Sequence, residues 1–156
     1  DGRGYVAQLL AGFDGSHSVA AMHCVGKESL HSAGVFACRQ PPSDKEDVCW
    51  PLSHCAEKPT IVYAQEHLKT PGLEQDKYLA AFGQYVLTPA IFRKLRGSAK
   101  CHFTEALDDV RKEEGLIGVL IQGCRWDLGR TSSYVEALQA QAGSRAGELP
   151  AKRARV

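Results

Sequence analysis

The chain has 156 residues, 44% hydrophobic and 24% charged with a mean hydropathy of −0.26, which is the profile of one globular domain or a large piece of one. A formal charge of +1 leaves no global field to draw it onto nucleic acid, and no apolar run reaches the roughly 20 residues needed to cross a bilayer. Asp1-Gly2-Arg3-Gly4-Tyr5 lacks the charged-then-apolar order of an export signal, and the six cysteines form no C-x-x-C pair, so six buried free thiols in a reducing compartment, the cytosol, are expected.

Val6, Leu9, Leu10 and Phe13 recur at helical spacing, and Gly12 and Gly15 close the segment, so a helix is predicted over 5–13. Buried strands follow at 18–25 and 33–39. The prolines and charges of 40–47 make a solvated loop, and a third strand covers 48–58. Thr60 caps a short helix to Leu68, Thr70-Pro71-Gly72 turns the chain, and 78–87 is the next strand, with Gly83 inside it permitting close approach by a ligand or another strand. Thr88-Pro89 has the chemistry of an N-cap followed by proline at the first helical position, launching a helix to Arg96. A further helix over 104–113 stops at Gly115, and the near-continuous apolar run 116–122 suits a strand covered on both faces. Thr131 or Ser132 caps the last helix, to about Ala142. Strands alternating with helices argue α/β layering, with a mixed sheet flanked by helices. The domain is expected over 1–142, with a disordered basic tail over 143–156.

Glu57 beside Lys58 on an extended stretch offers an acceptor for sugar hydroxyls and a cation for a phosphate, and Pro59 ends the strand just past them. Asp127 follows the buried run 116–122, at the kind of strand end where α/β sheets line ligand crevices. The order and wording of Ala56-Glu57-Lys58-Pro59-Thr60-Ile61-Val62-Tyr63-Ala64, Phe82-Gly83-Gln84-Tyr85-Val86-Leu87-Thr88-Pro89-Ala90-Ile91-Phe92 and Trp126-Asp127-Leu128-Gly129 with Tyr134 resemble the C-terminal half of the bacterial-type UTP-glucose-1-phosphate uridylyltransferases and related sugar nucleotidyltransferases. The resemblance runs from about Ala7 to Leu138 and implies the C-terminal portion of a Rossmann-like nucleotidyltransferase fold.

It further implies that Glu57 hydrogen-bonds glucose hydroxyls, that Lys58 meets the sugar phosphate, and that the main chain at Gly34 approaches the sugar. Asp127 becomes a ligand of Mg²⁺, a hard cation that takes carboxylates, waters and phosphate oxygens. Lys58 and Asp127 would be the catalytic pair, with Gly34, Glu57, Gly83 and Arg130 as further substrate contacts, Arg130 being the cation nearest to Thr131, where some relatives place a lysine. Relatives carry a Gly-Glu-x-Gln-Leu-Thr-Asp stretch where this chain reads Ala99-Lys100-Cys101-His102-Phe103-Thr104-Glu105, which loses the first acid and keeps Thr104 with an acidic neighbour. Nothing over 1–13 resembles the family's Gly-rich triphosphate loop, so the expected partner is the N-terminal half of the fold or a second copy. Residues 116–121 would then leave an uncovered sheet edge. The expected activity is transfer between UTP and glucose 1-phosphate, giving UDP-glucose and pyrophosphate; the alternative is a non-catalytic relative that binds or regulates a complete enzyme.

Overall fold

The computed structural model describes residues 4–40, 49–97, 102–123, 126 and 131–148. Elements follow in the order α1 (Tyr5–Ala11), β1 (Ser18–Gly26), a 3-10 helix (Lys27–Ser32), β2 (Gly34–Cys38), β3 (Cys49–Glu57), α2 (Ile61–His67), β4 (Lys77–Val86), α3 (Ala90–Arg96), α4 (Phe103–Glu113), β5 (Leu116–Leu120) and α5 (Thr131–Glu148). Chain contacts divide it into two units, 1–122 and 123–156. α5 runs to Glu148, which makes 143–148 helical where a tail was expected: alanine, glutamine, arginine and glutamate are good helix formers, and Gly143 and Gly147 are tolerated. Residues 149–156 lie outside the described set.

The sheet of the first unit is mixed. β4, β2, β3 and β5 follow β1 in spatial order, every pair antiparallel except β1 with β5. β5 lies between β1 on one side, with Ser18 to Met22 facing Leu116 to Leu120, and β3 on the other, with Cys49 to Pro51 facing Val119 to Ile117. The ring therefore closes, and the expected open edge at 116–121 is overturned along with the argument for a second copy to cover it. Gly118 is what allows β5 to close against its neighbours. A Cβ there would sit 2.5 Å from Sδ and Cε of Met22 and 2.7 Å from a methyl of Leu52. Gly118→Val is expected to cost about 1 to 3 kcal/mol by overpacking, read as a lower urea midpoint with unchanged slope.

Both faces of β1 are buried. Ala20 and Met22 join Phe36, Leu52, Leu79, Ile91 and Leu107 in the main core, while Val19 and Ala21 pack with Leu9, Val119 and Ile121 beneath α1. A third cluster seats α2 through Ala64 and Leu68 against Val35, Ala37 and Tyr78. Of the thiols expected to be buried, Cys38 and Cys55 are, and burial pushes both up to about 12; Cys49 is half-buried and Cys24 is exposed, because it falls beyond the buried stretch of β1. Cys101 and Cys124 lie outside the described residues.

Two local expectations need correction. Thr88 does not cap α3 with its side chain: Pro89 stands at the cap position, while the Thr88 hydroxyl donates to Glu114 (3.0 Å) and its N–H to Ser18 Oγ (2.9 Å), tying β1, α3 and α4 together. Gly83 is also not crowded by a neighbouring strand. It takes φ +90° in a bulge where Gly83 and its two neighbours lie opposite the single residue Ala21, and no atom lies within 4 Å of where its Cβ would be. Glycine is there for the left-handed turn of the bulge. Thr60 does cap α2, accepting from Tyr63 N at 3.2 Å.

Candidate functional site

Strand β3 pairs with β5 only as far as Pro51 and with β2 as far as Glu57, so among the described residues one side of its second half has no strand partner. Backbone donors there must find other acceptors. Helix α4 supplies one: Asp108 accepts the Cys55 N–H at 3.2 Å while holding Arg111 Nε at 2.7 Å and Lys112 Nζ at 2.7 Å. Burial opposes ionisation of Asp108, but the hydrogen bonds from Arg111 and Lys112 outweigh it and hold the carboxyl below its ordinary range. Between the end of β3 and the first turns of α4 lies an open hollow of about 360 Å³, lined by Ala56, Glu57, Thr104, Asp108, Asp109 and Lys112 among others.

Glu57 is the last residue of β3 and faces Gly34, the first residue of β2, in register. Thr104 Oγ1 donates to Glu57 Oε2 at 2.5 Å, and Glu57 Oε1 lies 3.8 Å from Lys58 Nζ. The structure thus brings together Gly34, Glu57 and Lys58 of the expected set and adds Thr104. Val35 faces Ala80, so the β4 bulge bearing Gly83 begins just past the level of Gly34 at the same end of the sheet. Tyr85, from the same bulged strand, is pushed up to about 12 by burial and by the nearby Glu57 carboxylate, and its ring meets Phe103 edge-on at 5.0 Å. Asp127 and Arg130 lie outside the described residues, and Trp126 beside them is exposed.

Lys58 has φ +44°, a left-handed conformation that is unfavourable for a lysine. Its N–H closes the strand pairing on Ala33 O at 3.1 Å, and only Pro59 and Thr60 separate it from the first turn of α2, so the sharp change of direction falls on Lys58 itself. Strain of this kind gathers at functional positions. The ammonium is also the less committed of the two cations here: Lys112 is held by Asp108 and by Asp109 at 3.5 Å, whereas Lys58 is 60% exposed and, among the described residues, has only the long ionic contact to Glu57.

Sequence reasoning passed over Thr104, Tyr85 and Asp108. Thr104 stood in a segment that departs from the relatives, and its retention there was the available signal. Nothing in the chain order signals that α4 would lie along β3.

A mixed sheet with helices packed against it and a polar hollow at its strand ends are the features to set beside known proteins. UDP-glucose pyrophosphorylases are among the solved structures that resemble the chain. One, complexed with UDP-glucose, is 27% identical with a TM-score of 0.63, covering 82% of this chain and 45% of that one. A second, a UTP-bound enzyme from Acinetobacter baumannii, has a TM-score of 0.69 over 90% of this chain and 45% of that one; at 18% identity it speaks for the fold alone. In sequence, a Methanocaldococcus jannaschii protein provisionally named UTP–glucose-1-phosphate uridylyltransferase is 28% identical over 128 residues, 77% of this chain and 39% of that protein. No family model matches. The chain therefore resembles the sugar nucleotidyltransferases in both sequence and fold, and it spans less than half the length of these relatives.

Proposed function

We propose that the chain forms the sugar-binding portion, the C-terminal part of the fold, of a sugar-1-phosphate nucleotidyltransferase that joins UTP and glucose 1-phosphate to give UDP-glucose and pyrophosphate. The convergence of Glu57, Gly34 and Lys58 at one sheet end carries this reading, together with the names of the relatives. Glu57 accepts from sugar hydroxyls, the Gly34 main chain lies against the ring, and Lys58 neutralises the sugar phosphate as a point charge. In-line attack of that phosphate on the α-phosphorus of UTP asks the protein for position and charge, and for no covalent residue. Gly83 and Arg130 are proposed as further substrate contacts. The groups that hold the triphosphate come from the rest of the fold.

Mg²⁺ is proposed as the cofactor with Asp127 as one ligand, because a hard cation takes carboxylates. Among the described residues no group of three or more His, Cys, Asp or Glu side chains is placed to hold a metal. No helix among those residues is long and apolar enough to cross a membrane. The four described cysteines are all free, which supports a cytosolic setting.

Calorimetry tests the reading. UDP-glucose should bind residues 1–156, and Glu57→Ala should weaken it by roughly ten- to a hundredfold, the usual loss of a charge-assisted hydrogen bond. Equal affinities would remove Glu57 from the site. A coupled assay on the same chain with UTP and glucose 1-phosphate should release no pyrophosphate; robust release would put the triphosphate site within this chain.

A further inference from the structure

We propose that Thr104 is the positioning residue of Glu57: its hydroxyl fixes one carboxylate oxygen and so determines which oxygen, and at what angle, is presented to a sugar hydroxyl. The inference rests on the reading of Glu57 as the sugar-hydroxyl acceptor. The bond from Thr104 Oγ1 to Glu57 Oε2, at 2.5 Å, has the length of a charge-assisted O–H···O⁻ contact. Thr104 is 7% exposed, so water competes little for either partner on that side.

Its own position is fixed from three directions. Glu105 reaches back to the His102 N–H at 3.1 Å and closes the first turn of α4. Ala106 and Leu107 anchor the next residues in the main core, and Phe103 rests edge-on against Tyr85. A hydroxyl borne on so rooted a turn does not follow a wandering carboxylate; the carboxylate follows it.

Gly34 completes the device. A Cβ at this position would lie 3.1 Å from Thr104 Oγ1 and 3.2 Å from Glu57 Oε2, tighter than ordinary van der Waals contact at both partners of the bond. Glycine is therefore what leaves the bond its room, which gives Gly34 a reason beyond its own backbone. With Oε2 committed to Thr104, Oε1 remains beside the Lys58 ammonium. A glutamate held in one rotamer before the ligand arrives loses little side-chain freedom on binding, which is how a supporting residue strengthens affinity without touching the ligand.

The test uses Thr104→Val and Thr104→Ser in the full chain, with UDP-glucose as the probe and the three-bond couplings of the Glu57 side chain measured by NMR without ligand. Thr104→Val should weaken binding roughly 5- to 30-fold and Thr104→Ser by less than about twofold. Added to Glu57→Ala, Thr104→Val should weaken binding no further, since it acts only through that carboxylate. The couplings should report one rotamer in the unaltered protein and in Thr104→Ser, and averaging in Thr104→Val. If Thr104→Val bound like its parent while Glu57→Ala lost binding, the positioning role would be overturned and the sugar reading kept. If the unaltered protein bound no UDP-glucose, the sugar reading would fail, and the positioning of Glu57 would still be decided by the couplings, identical values in all three proteins overturning it.

Discussion

Lys58→Gly should yield a protein more stable than its parent that binds a sugar phosphate roughly ten- to a hundredfold less tightly. The two effects separate because the proposed phosphate contact lies in the Lys58 side chain, whereas the strain lies in its backbone. At φ +44° a lysine carries about 1 to 2 kcal/mol of unfavourable conformation, which glycine relieves while returning about 0.5 to 1 kcal/mol in chain entropy. The N–H to Ala33 is kept in the variant. The net gain of about 0.5 to 1 kcal/mol corresponds to about 1 to 4 °C in Tm for a chain of this size. Lys58→Ala lacks the conformational relief and should lose affinity without gaining stability. A glycine variant that melts below its parent would mean that the left-handed turn is not strained, and one that binds glucose 1-phosphate normally would free Lys58 of the phosphate contact.

Asp108→Ala should destabilise the fold by about 3 kcal/mol, at the lower end of what breaking a buried ion pair costs, because Lys112 stays in contact with water while Arg111 is left 16% exposed without its partner. The Cys55 N–H would lose its acceptor as well. The effect carries a pH signature. Its partners hold the Asp108 carboxyl below the unfolded value of about 3.9, so the ionic part of the stabilisation is complete above that pH and is lost as the pH falls through the lower, folded value. Urea unfolding of parent and variant should therefore differ most at neutral pH and by less in strong acid. A difference below about 1 kcal/mol at neutral pH would show that α4 is held to β3 by its apolar face alone.

How much was legible in the chain follows from the range of each interaction. Glu57-Lys58-Pro59, the Thr60 cap, the Gly115 stop and the apolar run of β5 are signals a few residues long, and each marks its element to within a few residues. The Thr88-Pro89 signal misled because its competitor was distant in sequence: Ser18 and Glu114 claim the threonine that local chemistry assigns to the helix start. The 3-10 helix at Lys27–Ser32 carries no periodic pattern long enough to read.

By itself the sequence determined that an acid and a cation stand together at a strand end, next to a proline, in an α/β chain whose motifs follow the order of the sugar nucleotidyltransferases. Those are properties of neighbours along the backbone, set by propensity, hydrophobic period and steric restriction. Only the tertiary structure decided that Glu57 meets Gly34 and Thr104, that Asp108 completes the free side of β3, and that β5 is paired on both sides. These contacts join residues tens of positions apart, and their existence depends on which strands lie side by side and where α4 packs. That choice is made by the burial of Met22, Phe36, Leu79, Ile91 and Leu107 in one shared core, a global balance that no local stretch of the chain contains.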